Sequence, residues 1–207
     1  MSRLPSRRPS RFVSPGLAAL AMLVLLAPAA ANATPYVVKL TQQGTNVVAV
    51  GSGAFDLTGL SFNRSTQVAS GMAPGQAFIS TGSPALVDQY AGFAGPTSFG
   101  SGYPLIRFSE GSGDIAAIVG NDLFNDVALS VPFGYASGTA LASSAAWDNA
   151  SFASLGVTPG TYVWTWGTGA EQSFTLVTSV PEPAALGMFG FGVLLIGAFV
   201  GLRRRTA

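Results

Sequence analysis

Residues 184–202 are nineteen consecutive uncharged positions that run into Arg203, Arg204 and Arg205. As a helix rising about 1.5 Å per residue, the run is ~28 Å long, close to the thickness of the hydrocarbon layer of a bilayer. The pattern predicts a transmembrane helix over 184–202, so only the chain outside that span is free to build a water-soluble core. Positive charge beside a span resists translocation, and the three arginines are expected to anchor that end in the cytoplasm. Everything before Val180 then lies on the far side of the membrane. The other end points to the same route. Arg3, Arg7, Arg8 and Arg11 make a basic region, residues 17–26 are apolar, and Ala31, Asn32 and Ala33 offer a small-residue cleavage boundary. Ten apolar residues are short for a span, and this order is that of a secretory signal peptide, here 1–33. Pro9 and Ser10 stand where a twin-arginine signal has an apolar residue, so general secretion of an unfolded chain is the expectation.

Just before the span stands Val180-Pro181-Glu182-Pro183. Motif, span and arginine cluster together resemble the PEP-CTERM sorting signal of Gram-negative exopolysaccharide producers, a counterpart of the LPxTG signal read by sortases. The resemblance implies a partner, the membrane enzyme exosortase, which is thought to cut at the Pro-Glu-Pro motif. It also implies a precursor held in the inner membrane before processing and a product at the cell surface or outside the cell. The chain then divides into a signal peptide (1–33), an ectodomain (34–179) and a sorting signal (180–207).

Between Thr34 and Val180 the basic residues are Lys39, Arg64 and Arg107, against eight acidic ones, a net charge of −5. The whole-chain value of +1 comes from arginines in the two targeting segments. No basic patch for nucleic acid is left. The sequence has neither cysteine nor histidine. An exported domain of this length must therefore be held by its core and not by disulfides. Ser-His-Asp, Cys-His and the usual zinc ligand sets are all ruled out. No cofactor is expected.

The ectodomain consists of short β-prone runs broken by glycine. Strands are expected over 36–40, 46–50, 76–80, 105–108, 115–119, 127–131, 161–166 and 172–177, with turn residues such as Pro74-Gly75, Gly95-Pro96 and Pro159-Gly160 between them. No convincing helical period interrupts them. The expected fold is all-β, a single antiparallel β-sandwich of jelly-roll-like form.

Two constellations suggest chemistry. Tyr162, Trp164 and Trp166 alternate along one strand and so share one face. These residues are also the best strand formers, and the expected arrangement is that they face the core. Exposed, the same row would stack on sugar rings. Residues 154–167, and less tightly 93–100 and 111–114, resemble a recurrent group of PEP-CTERM ectodomains, a likeness that implies no activity. Glu110, Asp114, Asp122 and Asp126 lie close together in sequence, and such oxygen ligands suit calcium. The EF-hand spacing is missing, however, and solvated turn carboxylates are expected instead of a metal site. Nothing in the spacing singles out the paired carboxyls of a glycosidase. The function expected is a non-enzymatic structural or adhesive component of an exopolysaccharide or biofilm matrix. The alternatives are a carbohydrate-binding module on the aromatic row and, third, a carboxylate-dependent glycoside hydrolase.

Overall fold

The computed structural model describes residues 34–120 and 127–180. The signal peptide, Asp122, Asp126, Pro181 to Pro183, the expected membrane helix and the three terminal arginines lie outside the described residues. Among the described residues twelve strands, a 3-10 turn and one α-helical turn follow one another: β1 (Tyr36–Gln43), β2 (Asn46–Gly53), β3 (Ser61–Gln67), β4 (Met72–Ala73), the 3-10 turn (Pro74–Gln76), β5 (Phe78–Thr81), β6 (Leu86–Ala91), β7 (Glu110–Gly113), β8 (Ala116–Val119), β9 (Ala128–Pro132), β10 (Leu141–Trp147), α1 (Phe152–Leu155), β11 (Gly160–Thr165) and β12 (Ser173–Ser179). They form two six-stranded sheets, ordered β11-β12-β1-β2-β10-β7 and β3-β6-β9-β8-β5-β4.

The alternation in the sequence produces the first sheet. Tyr36, Val38 and Leu40 of β1, Val47 and Ala49 of β2, Leu141, Ala145 and Trp147 of β10, and Phe174 and Leu176 of β12 all point inward and are buried. They meet Met72, Ile79, Ile118, Leu129 and Val131 of the second sheet in one shared core. Aromatic rings fill its middle: Phe55 stacks on Phe174 at 6.1 Å and lies 4.5 Å from Tyr36. The second sheet is covered on its outer face as well, where Val68 and Leu105 pack against Ala73, Phe78 and Ala117. Burial on both faces explains why β8 reads as an unbroken short apolar run and why β5 and β9, with only Ser80, Thr81 and Ser130 as polar residues, do not alternate.

Three expectations are corrected. The strand expected at 76–80 starts at Phe78, because Pro74–Gln76 form a 3-10 turn that closes on Ala77 with a positive φ. Residues 105–108 contribute only an isolated bridge, Ile106 to Met72. A wholly antiparallel, jelly-roll-like arrangement also fails at one pairing, since β1 and β12 run parallel, with Tyr36 opposite Phe174 and Thr41 opposite Ser179. A parallel pair needs a long connection, and here almost the whole domain supplies it. Among the described residues the other strand-to-strand pairings are antiparallel, and an isolated bridge from Pro35 to Ala54 is parallel.

Candidate functional site

The closing hairpin of β11 and β12 carries the aromatic row, and the structure turns it inward. Trp164 has no exposed surface, and its ring meets Phe174 edge-on at 5.7 Å. Tyr162 and Trp166 are half-buried and pack on the same core. The polar tip of each ring donates to a backbone carbonyl. Trp164 Nε1 reaches the Pro96 oxygen at 2.8 Å, Trp166 Nε1 the Asp56 oxygen at 2.7 Å, and the Tyr162 hydroxyl the Thr158 oxygen at 3.0 Å. An open stacking platform on this row is therefore corrected, since Trp164 offers no ring face to a sugar.

The segment around Gly95 and Pro96 acts as a strap over Trp164. Ala94 and Thr165 exchange backbone hydrogen bonds of 2.8 Å each way. A Cβ on Gly95 would sit 2.5 Å from Trp164 Cδ1, and one on Gly120 would sit 2.7 Å from its Nε1, so glycine is what lets both backbones close on the indole. Phe99, further along the strap, is buried 5.9 Å from the Tyr162 ring. Two of the stretches that resemble other PEP-CTERM ectodomains, 93–100 and 154–167, are thus two sides of one packing unit.

The carboxylates are scattered among structural tasks. Asp114, exposed after β7, accepts a hydrogen bond from the Ala142 amide at 2.9 Å, while its own amide bonds back to the Ala142 oxygen at 2.8 Å. Glu110 lies exposed on β7. Among the described residues no group of three acidic side chains is placed to hold a metal. Asp56 accepts from the Thr58 amide at 2.9 Å and from the Ser137 hydroxyl at 3.2 Å. Bonding from Thr58, first through its amide, holds the Asp56 carboxyl below its usual range. Asp88 is bound by the Ser65 hydroxyl at 2.6 Å and the Gly134 amide at 2.9 Å.

Three arrangements escape sequence reading. The first is a buried hydroxyl cluster that joins the sheets: the Tyr36 hydroxyl lies 2.7 Å from Ser143 Oγ, which lies 2.8 Å from Thr81 Oγ1. Gly51 makes room for it, since a Cβ there would collide with the Tyr36 and Ser143 oxygens. The second is a groove of about 290 Å³ on the outer face of the second sheet, lined by Arg64, Gln67, Gln76 and Gln89 over Phe78 and Val119. Arg64 Nε donates to Gln89 Oε1 at 2.9 Å, and Gln89 Nε2 donates to Ser130 Oγ at 3.3 Å. The third is a hollow of about 420 Å³ at the end of the first sheet, between the β1–β2 turn and the start of α1.

That third place lies at the end where the chain leaves the domain. β12 ends at Ser179, opposite Thr41, and Val180 is half-exposed. The hydroxyl of Thr178 fastens the last turn of the strand by donating to the oxygens of Thr158 at 2.8 Å and Gly160 at 3.1 Å. An ordered β domain that passes within one residue into Pro181-Glu182-Pro183 is the layout of cargo joined to a sorting signal. The protein-family comparison identifies the signal: residues 179–205 match the PEP-CTERM protein-sorting motif. The chain is therefore a PEP-CTERM motif-bearing protein, and the motif implies membrane-associated export, processing by exosortase and sorting to the surface. Comparison with curated proteins and with solved structures gave no match.

Proposed function

We propose that the β domain is a non-catalytic structural or adhesive component of an extracellular polysaccharide matrix, delivered there by exosortase. The observation that carries this reading is the sorting motif at residues 179–205, placed directly against the end of β12. A core whose buried side-chain polar atoms all have partners among the described residues supports a durable domain of this kind. Processed protein is expected to co-fractionate with cell-surface polysaccharide in an exosortase-bearing host and to be freed when that polysaccharide is digested. Protein found wholly free in the medium before digestion would reject the matrix role.

A second reading, direct binding of polysaccharide, is favoured by the groove on the second sheet. The Gln89 amide, held in place by Arg64 and Ser130, lies with the amides of Gln67 and Gln76 above an apolar base, an arrangement that suits the alternating hydroxyl and C–H faces of sugars. The full chain in detergent should then retain host polysaccharide in a pull-down, and a Gln67→Ala, Gln76→Ala variant should retain less. Equal retention by both would remove this reading while leaving the structural role intact.

A further inference from the structure

The end of the domain from which the sorting segment departs is a built surface. Four chain segments converge there. The β1–β2 turn places Gln43 opposite Asn46, β10 ends with Trp147 opposite Val47, and β11 begins with Gly160 opposite Thr178, next to the end of β12. Cross-bonds hold these parts in one shape. The Ala150 amide donates to the Thr45 oxygen at 2.8 Å, the Asn149 amide to Asn46 Oδ1 at 3.1 Å, and the Phe152 amide to Gln42 Oε1 at 3.1 Å. Ser151 and Ser154 close α1 with a reciprocal capping box. The hollow between them is therefore a rigid feature, lined by Gln42, Thr45, Asn149, Ser151 and Ser154.

We propose that this surface docks against the extracytoplasmic face of exosortase, so that the enzyme reads the folded domain together with the motif; the proposal rests on the sorting reading given above. Reach carries it. Only residues 180–183 separate the end of β12 from the apolar run that begins at Ala184, and four extended residues cover at most about 14 Å. An enzyme that grips Pro181-Glu182-Pro183 at the membrane must meet this end of the domain. The chemistry of the lining selects a protein partner over lipid headgroups. A lipid-facing surface presents basic or exposed aromatic side chains, whereas the residues lining this hollow, Gly44 and Ala150 among them, carry neither a charge nor an aromatic ring.

The test follows conversion of the full-length chain to its processed form by pulse-chase in an exosortase-bearing host. Thr45→Arg combined with Ala153→Arg places charge and bulk on exposed positions of this surface, and Thr168→Arg does the same in the turn at the opposite end of β12. Conversion should slow at least about fivefold in the Thr45, Ala153 pair, as for charge placed at an interface rim, and be unchanged in Thr168→Arg. A flexible Gly-Ser linker of about twelve residues inserted after Ser179 should uncouple the surface from the motif, so that chains with and without the pair are processed at one common rate. Melting temperatures equal to wild type establish that the variants fold, and the linker comparison in the otherwise unchanged chain does not depend on them. Wild-type conversion with no slowing in the pair would overturn docking alone. Absence of wild-type processing would overturn the sorting reading beneath it.

Discussion

At the scale of single residues, Trp164 and Tyr36 pack from two sides on the same core ring, Phe174. Trp164 is wholly buried, bonded to Pro96 and closed in by Gly95 and Gly120, so Trp164→Ala leaves a cavity that nothing nearby can fill. The expected cost is about 3–5 kcal/mol, a large share of the roughly 5–15 kcal/mol that stabilises a domain, and chemical denaturation will measure it. An unchanged midpoint would mean that the indole is not a core residue. Tyr36 is a gentler case. Tyr36→Phe leaves Ser143 and Thr81 bonded to each other, and the loss should be about 1 kcal/mol. Burial raises the Tyr36 phenol above its usual value, only partly countered by the Ser143 and Thr81 hydrogen bonds. A raised folded value favours the native state while the phenol is neutral. The contribution is complete below about pH 10, where the unfolded chain starts to ionise, and it fades as pH climbs toward the folded value. Stability profiles should therefore fall above about pH 10, less steeply in Tyr36→Phe; part of the slope will persist because burial raises Tyr90 and Tyr135 as well. Asp56 works with the opposite sign. Its lowered value contributes stability at neutral pH that is lost as pH drops through about 4, and Asp56→Asn should flatten that acid limb.

At the scale of elements, the strands that could be read were those with a clean alternation or a short apolar run. β1, β2, β8, β9, β11 and β12 announce themselves in this way, because the pattern of the sequence is the pattern of burial. β3 does not. Its sequence SFNRSTQ lies at the edge of the second sheet, nearly all exposed, with a register shift between Phe62 and Arg64, so no apolar face marks it. β10 buries Ala145 and Ser143 along with Leu141 and Trp147, and small residues of this kind carry little periodic signal. β7 consists of Glu110 and a Gly-Ser-Gly run that looks like a turn, and only the pairing with β10 makes it a strand. The candidate site divides in the same way. The sorting motif is local and legible, and the inward orientation of Tyr162, Trp164 and Trp166 follows from their residue type. The hydroxyl cluster joins positions 45 and 107 apart in sequence, and no local pattern foretells it. At the end of β12, Thr178→Val removes two hydrogen bonds to backbone oxygens. Faster amide exchange at residues 176–179, with the rest of β12 unchanged, is the expected outcome. Uniform exchange along the strand would show that the Thr178 hydroxyl does not fasten its end.

At the scale of the whole molecule, the two processing steps should each remove an apolar segment. Intact mass of the protein recovered from an exosortase-bearing host is expected to correspond to a chain beginning near Thr34 and ending near Pro183; a mature species still carrying Arg203 to Arg205 would contradict it. Glu182→Ala deletes the one charge in the motif and leaves the signal peptide untouched. Export across the inner membrane should continue while the product stays in the membrane fraction, and release equal to wild type would show that the glutamate is not read.

The parallel partnership of β1 and β12 bears on timing. In a chain exported unfolded, β1 would be the first strand to emerge on the far side of the membrane and β12 the last, yet they are neighbours in the interior of the first sheet, with β11 beyond one and β2 beyond the other. Contacts between residues so distant in the chain form slowly, and on that route they could not be complete until Ser179 had crossed. Up to that moment β1 has only β2 to pair with, and Phe55 lacks the ring of Phe174 that stacks on it. Folding is therefore completed as the next segment to arrive is the sorting signal itself, so that a finished domain and a readable signal become available together.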